Sequence, residues 1–291
     1  MGLQRFYNKL RRELYKPVSR FCLKSARTNY MGMDLKVPVI HGVGSGLLVS
    51  TDQWMSDCLS VFLKNKQGAV VDVGVNIGMY LVKLKSIDSK REYMGFEPNA
   101  FCNYYVQELI RENKFSNARI LPFALSDNKG IHSFFMARKA DKKGSLNDYD
   151  QFDHGEKYSC DVFTMPGDDF FDLLSPSQLC AFKIDVEGAE LEVLRGLKKT
   201  IKRYRPYVFC EIWHLPEEDA SDYLDKKQRL EKMCDLISEL EYCFLATDKN
   251  KPTEIDIISK LEGFNNQQKR DYILVHKDEV ENLRNKLAEK V

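Results

Sequence analysis

The chain has 291 residues, 43% hydrophobic and 30% charged, enough to bury the core of one large globular domain. A formal net charge of +1 excludes a chain-wide surface for polyanions, so no nucleic-acid partner is expected. No apolar run approaches the roughly 20 residues that span a bilayer, and the start lacks the apolar core and cleavage site of a secretory signal, which makes the cytoplasm the expected compartment.

Residues 1–50 read as a basic N-terminal arm and 51–291 as the domain. Up to residue 36 the arm carries Arg5, Lys9, Arg11, Arg12, Lys16, Arg20, Lys24, Arg27 and Lys36 against Glu13 and Asp34. Leu3, Phe6, Leu10 and Leu14 recur beside these charges at helical spacing, so the arm is read as an amphipathic segment. It either docks on the domain or touches an anionic membrane surface as a peripheral contact. The eight cysteines contain no C-x-x-C pair. Cys180 and Cys210, among apolar neighbours, read as small buried hydrophobes.

Met55, Cys58, Leu59, Phe62 and Leu63 form a helical stripe over residues 52–65, with Thr51 or Asp52 able to cap it. Ala69 to Val73 is a continuous apolar run of the kind buried on both faces of a parallel sheet. Strand Tyr93–Phe96, a helix from Asn99 to about Asn113 and strand Ala118–Leu121 follow. Residues 131–136 and 158–163 read as a hairpin bearing a polar, charged excursion over 138–158, a length that in compact domains is usually functional or disordered. Later strands are Leu179–Ile184, Tyr207–Cys210, Tyr242–Ala246 and Tyr272–Val275. Helical stripes lie at Leu191, Leu194 and Leu197, at Leu230, Met233, Ile237 and Leu240, and at Val280, Leu283 and Leu287. The alternation predicts a doubly wound α/β fold, a mainly parallel sheet with helices on both faces.

The most informative segment is Asp72-Val73-Gly74-Val75-Asn76-Ile77-Gly78, a D-x-G-x-x-x-G loop between the first strand of that sheet and a helix. Its glycines permit a sharp turn and close approach to a ligand at the carboxyl edge of the sheet, and its carboxylate suits a cation. S-adenosyl-L-methionine offers an ammonium and a sulfonium without a pyrophosphate. A dinucleotide would call for G-x-G-x-x-G, which is missing here. Glu97, at the tip of the next strand, is placed to accept hydrogen bonds from two ribose hydroxyls. Taken singly, the glycines could serve a tight turn and Glu97 could be an exposed loop acid.

Together with Phe96-Glu97-Pro98, Ala124-Leu125-Ser126 and Lys183-Ile184-Asp185-Val186-Glu187-Gly188-Ala189-Glu190, the loop resembles the FkbM-type methyltransferases, over roughly residues 68–212 and more weakly at Ser145-Leu146. The resemblance implies a Rossmann-like, seven-stranded sheet with the last strand antiparallel, and methyl transfer to oxygen. It further implies that Asp72, Gly74 and Gly78 hold the methionyl portion of the cofactor and Glu97, beside Pro98, the ribose. Asn76 matches the asparagine of the family's loop, and the backbone of Ala124, Leu125 and Ser126 would lie by the adenine. Val75, where many relatives carry alanine, is expected to narrow the loop.

Methyl transfer requires alignment of the acceptor, and an aliphatic hydroxyl also requires a base. Asp185 and Glu187 follow one strand, and Glu211 and His214 follow the next, all four at the carboxyl edge. Asp185 has an alternative role as the cap of a helix starting at Val186. No strong metal signature accompanies these residues. The expected acceptor is a small molecule or glycan, with a hydroxyl of a sugar, glycan or secondary metabolite as the target. A nicotinamide-dependent oxidoreductase and a non-catalytic cofactor-fold binding module are the alternatives; oligomeric state is not encoded legibly.

Overall fold

In a computed structural model, residues 25–41, 43–48, 53–136, 144–147, 158–212, 215, 218–248, 251–258 and 271–288 are described. Strands β1 (Ser25–Tyr30) and β2 (Met33–Pro38) form an antiparallel hairpin ahead of helix α1 (Gln53–Asn65). Next come β3 (Ala69–Val73), α2 (Met79–Ile87), β4 (Tyr93–Phe96), α3 (Ala100–Asn113) and β5 (Ala118–Leu121). Short strands β6 (Ala124–Ser126), β7 (Gly130–Met136) and β8 (Tyr158–Pro166) lead into α4 (Gly167–Leu174) and β9 (Leu179–Ile184). The chain continues through α5 (Glu190–Gly196), α6 (Lys198–Tyr204), β10 (Tyr207–Glu211) and α7 (Tyr223–Glu239). It closes with β11 (Tyr242–Asp248), β12 (Lys251–Ile258), β13 (Asp271–His276) and α8 (Val280–Ala288).

The main sheet has the order β12-β11-β13-β10-β9-β3-β4-β5. Its β10-β9-β3-β4-β5 half is parallel, and β13, the last strand in the chain, runs antiparallel to both β10 and β11. That is the expected seven-stranded Rossmann-like sheet; β12 adds an eighth strand at its edge. Pro252 next to the start of β12 hid this strand from pattern reading, and an edge position tolerates it.

The central strands are buried on both faces, and their residues are apolar apart from Asp72 of β3 and Lys183 of β9. On one face Leu59, Phe62, Leu81, Tyr105 and Leu109 pack from α1, α2 and α3; on the other Phe171, Leu191, Leu194, Ile201 and Ile237 pack from α4 to α7. The β1-β2 hairpin, which the sequence reading left in the arm, joins the first core through Tyr30, Leu35 and Val37. Its turn, Met31-Gly32, has φ of 50° and 88°, the left-handed pair favoured by two-residue hairpin loops. The Asn113 side chain of α3 exchanges hydrogen bonds with the backbone of Lys36 at 2.8 and 2.7 Å, which fastens β2 to the body. The amphipathic stripe at Leu3 to Leu14 and the Thr51 or Asp52 cap lie outside the described residues. Among the described residues no helix is long and apolar enough to cross a membrane.

β3, β4 and β5 are laid down toward one edge of the sheet, and the chain then returns to place β9 on the other side of β3. The switch point between β3 and β9 opens a crevice at their carboxyl ends, where open α/β sheets bind ligands.

Candidate active site

Gly74 turns the chain out of β3 at φ 81°, and a β-carbon there would stand 2.0 Å from the Asp185 carbonyl oxygen. Only glycine lets the ends of β3 and β9 approach this closely. Asn76 also takes a left-handed conformation, at φ 56°. Gly78 precedes α2 at φ 81° and sits against Leu109 and Val106 of α3, away from the crevice. Its role in the structure is the turn and helix packing. Val75 does not narrow the loop: it is buried in the core, over the bare face of Gly95, where a β-carbon would meet its side chain at 2.6 Å.

Glu97 is 5% exposed and borders the crevice. The Asn76 amide donates to its Oε2 at 2.7 Å and the Asn99 amide to its Oε1 at 2.9 Å. Each oxygen keeps a lone pair for a further donor. Burial pushes the Glu97 carboxyl up to about 7, against the pull of those two amides and of Lys183. Asn99 then caps α3, its side chain accepting from the Phe101 and Cys102 amides.

Asp72 is wholly buried and lies beneath the crevice, outside its lining. Tyr93 donates to its Oδ2 at 2.7 Å. Lys183, which the sequence reading gave no role, fills the space between the two halves of the site. Its ammonium donates to the Gly74 carbonyl at 2.8 Å and stands 3.4 Å from Asp72 Oδ1 and 3.2 Å from Asp185 Oδ2. Burial disfavours that charge, but Asp185 and Asp72 outweigh it and hold Lys183 protonated.

Asp185 opens onto the crevice, its side chain 38% exposed. Burial raises its carboxyl, yet Lys183 and a hydrogen bond with the Glu211 side chain win, keeping Asp185 below the usual aspartate range. Asp185 caps no helix, because α5 starts only at Glu190. The intervening turn, with Glu187 at φ 55° and Gly188 at φ 101°, is tied by Glu190, whose Oε1 accepts from the Val186 and Gly188 amides, both at 3.1 Å.

The crevice encloses about 670 Å³ including its open mouth. Of the sequence candidates, Gly74, Asn76, Glu97, Pro98, Ala124, Leu125, Asp185 and Glu187 line it; Asp72, Gly78 and Ser126 do not. The backbone oxygen of Ser126 is instead pressed against Gly196 of α5, where a β-carbon would meet it at 1.9 Å. Glu211 adjoins the site through Asp185, and His214 lies outside the described residues. The wall also includes Asn99, Cys102, Phe134 and Leu146, which pattern reading missed; Asn99 was legible only as the start of a helix. Among the described residues the lining has three carboxylates and no lysine or arginine. That acidic lining fits the sulfonium and ammonium of S-adenosylmethionine and disfavours the negative charge of a pyrophosphate. No group of three His, Cys, Asp or Glu among the described residues is arranged to hold a metal ion.

The chain is similar to the solved methyltransferase FkbM from Methylobacillus flagellatus KT, at 16% identity over 72% of this chain and TM-score 0.44, spanning only 44% of that protein. It is also similar to fibrillarin from Aeropyrum pernix with natively bound S-adenosyl-L-methionine, at 9% identity over 88% of this chain and 86% of that one, TM-score 0.41. A third is the tRNA (uracil-54, C5)-methyltransferase of Pyrococcus abyssi in complex with S-adenosyl-L-homocysteine, at 12% identity over 87% of this chain and 44% of that one, TM-score 0.38. No curated protein sequence matches. The methyltransferase FkbM domain matches residues 72–244, well over half of the chain, from the acid that opens the glycine loop to the middle of β11. The chain belongs to the FkbM family of S-adenosylmethionine-dependent methyltransferases.

Proposed function

We propose that the protein is an O-methyltransferase that modifies a hydroxyl of a sugar, glycan or secondary metabolite. The observation that carries this reading is an ionised carboxylate, Asp185, opening onto the crevice beside the glycine loop. When bound, the cofactor supplies a methyl group already activated on sulfur, which leaves alignment and proton removal to the protein.

Glu97 accepts the ribose hydroxyls on the lone pairs its two amide contacts leave open, and those contacts fix the direction of the carboxylate. Gly74 and Asn76 present backbone to the methionyl portion, with Asp72 acting from below by holding Lys183 under the loop. Ala124 and Leu125 face the adenine. Asp185 accepts the hydrogen bond of the acceptor hydroxyl, orients its oxygen and takes its proton, with Glu211 as the partner that shares the charge. His214 is the competing base. The nicotinamide alternative loses support from the acidic lining, which disfavours a pyrophosphate, and from the missing G-x-G-x-x-G.

The test is incubation with cofactor carrying a ¹³C-labelled methyl group and a panel of sugars, glycosides and hydroxylated small molecules, followed by NMR of the product. A methyl resonance in the O-methyl range is expected. Label on nitrogen or carbon, or binding of NAD with none of S-adenosylhomocysteine, overturns the reading.

A further inference from the structure

The acid-bearing turn after β9 is held by a segment from a distant part of the chain. Residues 144–147, within the polar excursion, lie against it. Ser145 is fully buried, and its hydroxyl donates to the Glu187 carbonyl at 2.8 Å while accepting the Asn147 amide at 3.1 Å. The Asn147 side chain donates to the Gly188 carbonyl at 3.0 Å. Ser145 is itself anchored by a two-way backbone bridge with Phe135 of β7, at 2.8 and 3.0 Å. Gly144 lets the Phe134 ring lie against it, since a β-carbon there would fall 2.3 Å from that ring. The contacts run from a rigid hairpin, through four residues, to the two carbonyls that follow Asp185 and Val186.

We infer that Ser145 and Asn147 are positioning residues, a latch that sets the shape of the Asp185–Gly188 turn and with it the direction of the acceptor-side carboxylates. This rests on the assignment of that turn to the acceptor side. Glu187 and Gly188 both hold left-handed backbone conformations, which for glutamate is unfavourable and persists only where the surroundings impose it. Glu190 ties the amides of the turn, and Arg229, which also donates to the Gly188 carbonyl at 3.0 Å, ties it from α7. The latch adds a contact to the Glu187 carbonyl and another to the Gly188 carbonyl. Small angular changes there move Asp185 and Glu187 relative to an acceptor, and displacements of about 1 Å are costly to catalysis. The Glu97 carboxylate is held instead by the Asn76 and Asn99 amides, which belong to other loops.

The full-length protein with Ser145→Ala, Ser145→Thr, Asn147→Ala or Asn147→Asp tests this in two ways. Amide hydrogen exchange over residues 184–190 reads the latch whatever the acceptor is: about tenfold faster exchange is expected in the two alanine variants, and Ser145→Thr, which keeps the hydroxyl, should restore protection. Unchanged exchange overturns the latch. On an acceptor that the wild type methylates, kcat should fall about tenfold or more with the Kd for S-adenosylhomocysteine within about twofold. A parallel loss of cofactor affinity would make the segment a cofactor wall and overturn its positioning role. If Ser145→Ala does not fold, the less buried Asn147 pair carries both readouts. Failure of the wild type to methylate any hydroxyl counts against the O-methyl reading and leaves the exchange result to decide the latch.

Discussion

The two sides of the crevice are built in different ways. The cofactor side comes from contiguous sequence: a glycine loop following β3, then Glu97 held by amides of its own and the neighbouring turn. The side proposed to take the acceptor is held largely from afar. The turn at Asp185 to Gly188 is gripped by Ser145 and Asn147 from the excursion, Arg229 from α7 and Lys183 from within β9. A local motif can stay fixed while the segments gripping the other side vary, which lets one cofactor serve different acceptors.

The sharpest break of that contrast is Gly74→Ala, because Gly74 is where the two sides touch. Its β-carbon would enter the Asp185 carbonyl in a left-handed conformation, and backbone must move. A loss of about 3–5 kcal/mol in stability, or of cofactor binding altogether, is expected. Thermal denaturation and calorimetry with S-adenosylhomocysteine read it. A variant that melts and binds like the wild type would mean the two strand ends are not in contact.

On the acceptor side alone, Asp185→Asn should slow single-turnover methyl transfer by about 10²-fold, close to 2.7 kcal/mol, with cofactor affinity preserved. Because Lys183 and Glu211 hold Asp185 below the usual aspartate range, wild-type turnover at saturating cofactor should be flat between pH 6 and 8. A rise through about 6.5 that disappears in His214→Ala would transfer the base to His214.

On the cofactor side, Glu97→Gln should weaken S-adenosylhomocysteine by about 1.5–3 kcal/mol as charge-assisted ribose bonds are lost. Burial sets the free Glu97 carboxyl at about 7, so protonation as pH falls through 7 removes the acceptor that the ribose needs. Wild-type affinity should therefore drop between pH 8 and 6, and the glutamine variant should lack that slope. Equal slopes in both proteins would remove Glu97 from the ribose contact.

The contrast also explains what could be read from the sequence. β3, β4 and β9 match their apolar runs residue for residue, since burial on both faces leaves a nearly continuous hydrophobic signature, and the half-buried β5 matches as well. Gly74 and Glu97 were visible because their chemistry is local. Lys183 was not, because a lysine inside an apolar run carries no mark of the carboxylates that accommodate it. The hydrogen bonds from Ser145, Asn147 and Arg229 end on carbonyls of remote residues, and such contacts impose no periodicity. The β1-β2 hairpin alternates Ala26, Thr28 and Tyr30 with exposed residues, a period-two signal submerged in the basic bias of the arm. Asp185 had helix capping as its alternative reading because the four residues between it and α5 look helical, whereas Gly188 and the amide contacts of Glu190 hold them in a turn.

Glu190 gives the smallest expected effect, one that separates holding the acid turn from chemistry on it. It is 3% exposed, accepts two amides on Oε1, and burial raises its carboxyl from 4.5 to about 7 despite those bonds. Since the folded state binds this proton more tightly than the unfolded chain, the associated stability is fully present below pH 4.5 and is lost as pH rises through about 7. The wild type should lose about 1–3 kcal/mol at this position between pH 4.5 and 8. Glu190→Gln keeps an oxygen for the Val186 and Gly188 amides and has no proton to release, so it should escape the loss. Contributions from Glu97 and the other titrating groups are common to both proteins and cancel in their difference. The two should therefore denature at similar denaturant concentrations near pH 5, with the variant the more stable by about 1 kcal/mol or more at pH 8. A stability difference that stays constant from pH 5 to 8 would show that Glu190 remains ionised in the fold, its charge balanced by the amides it binds.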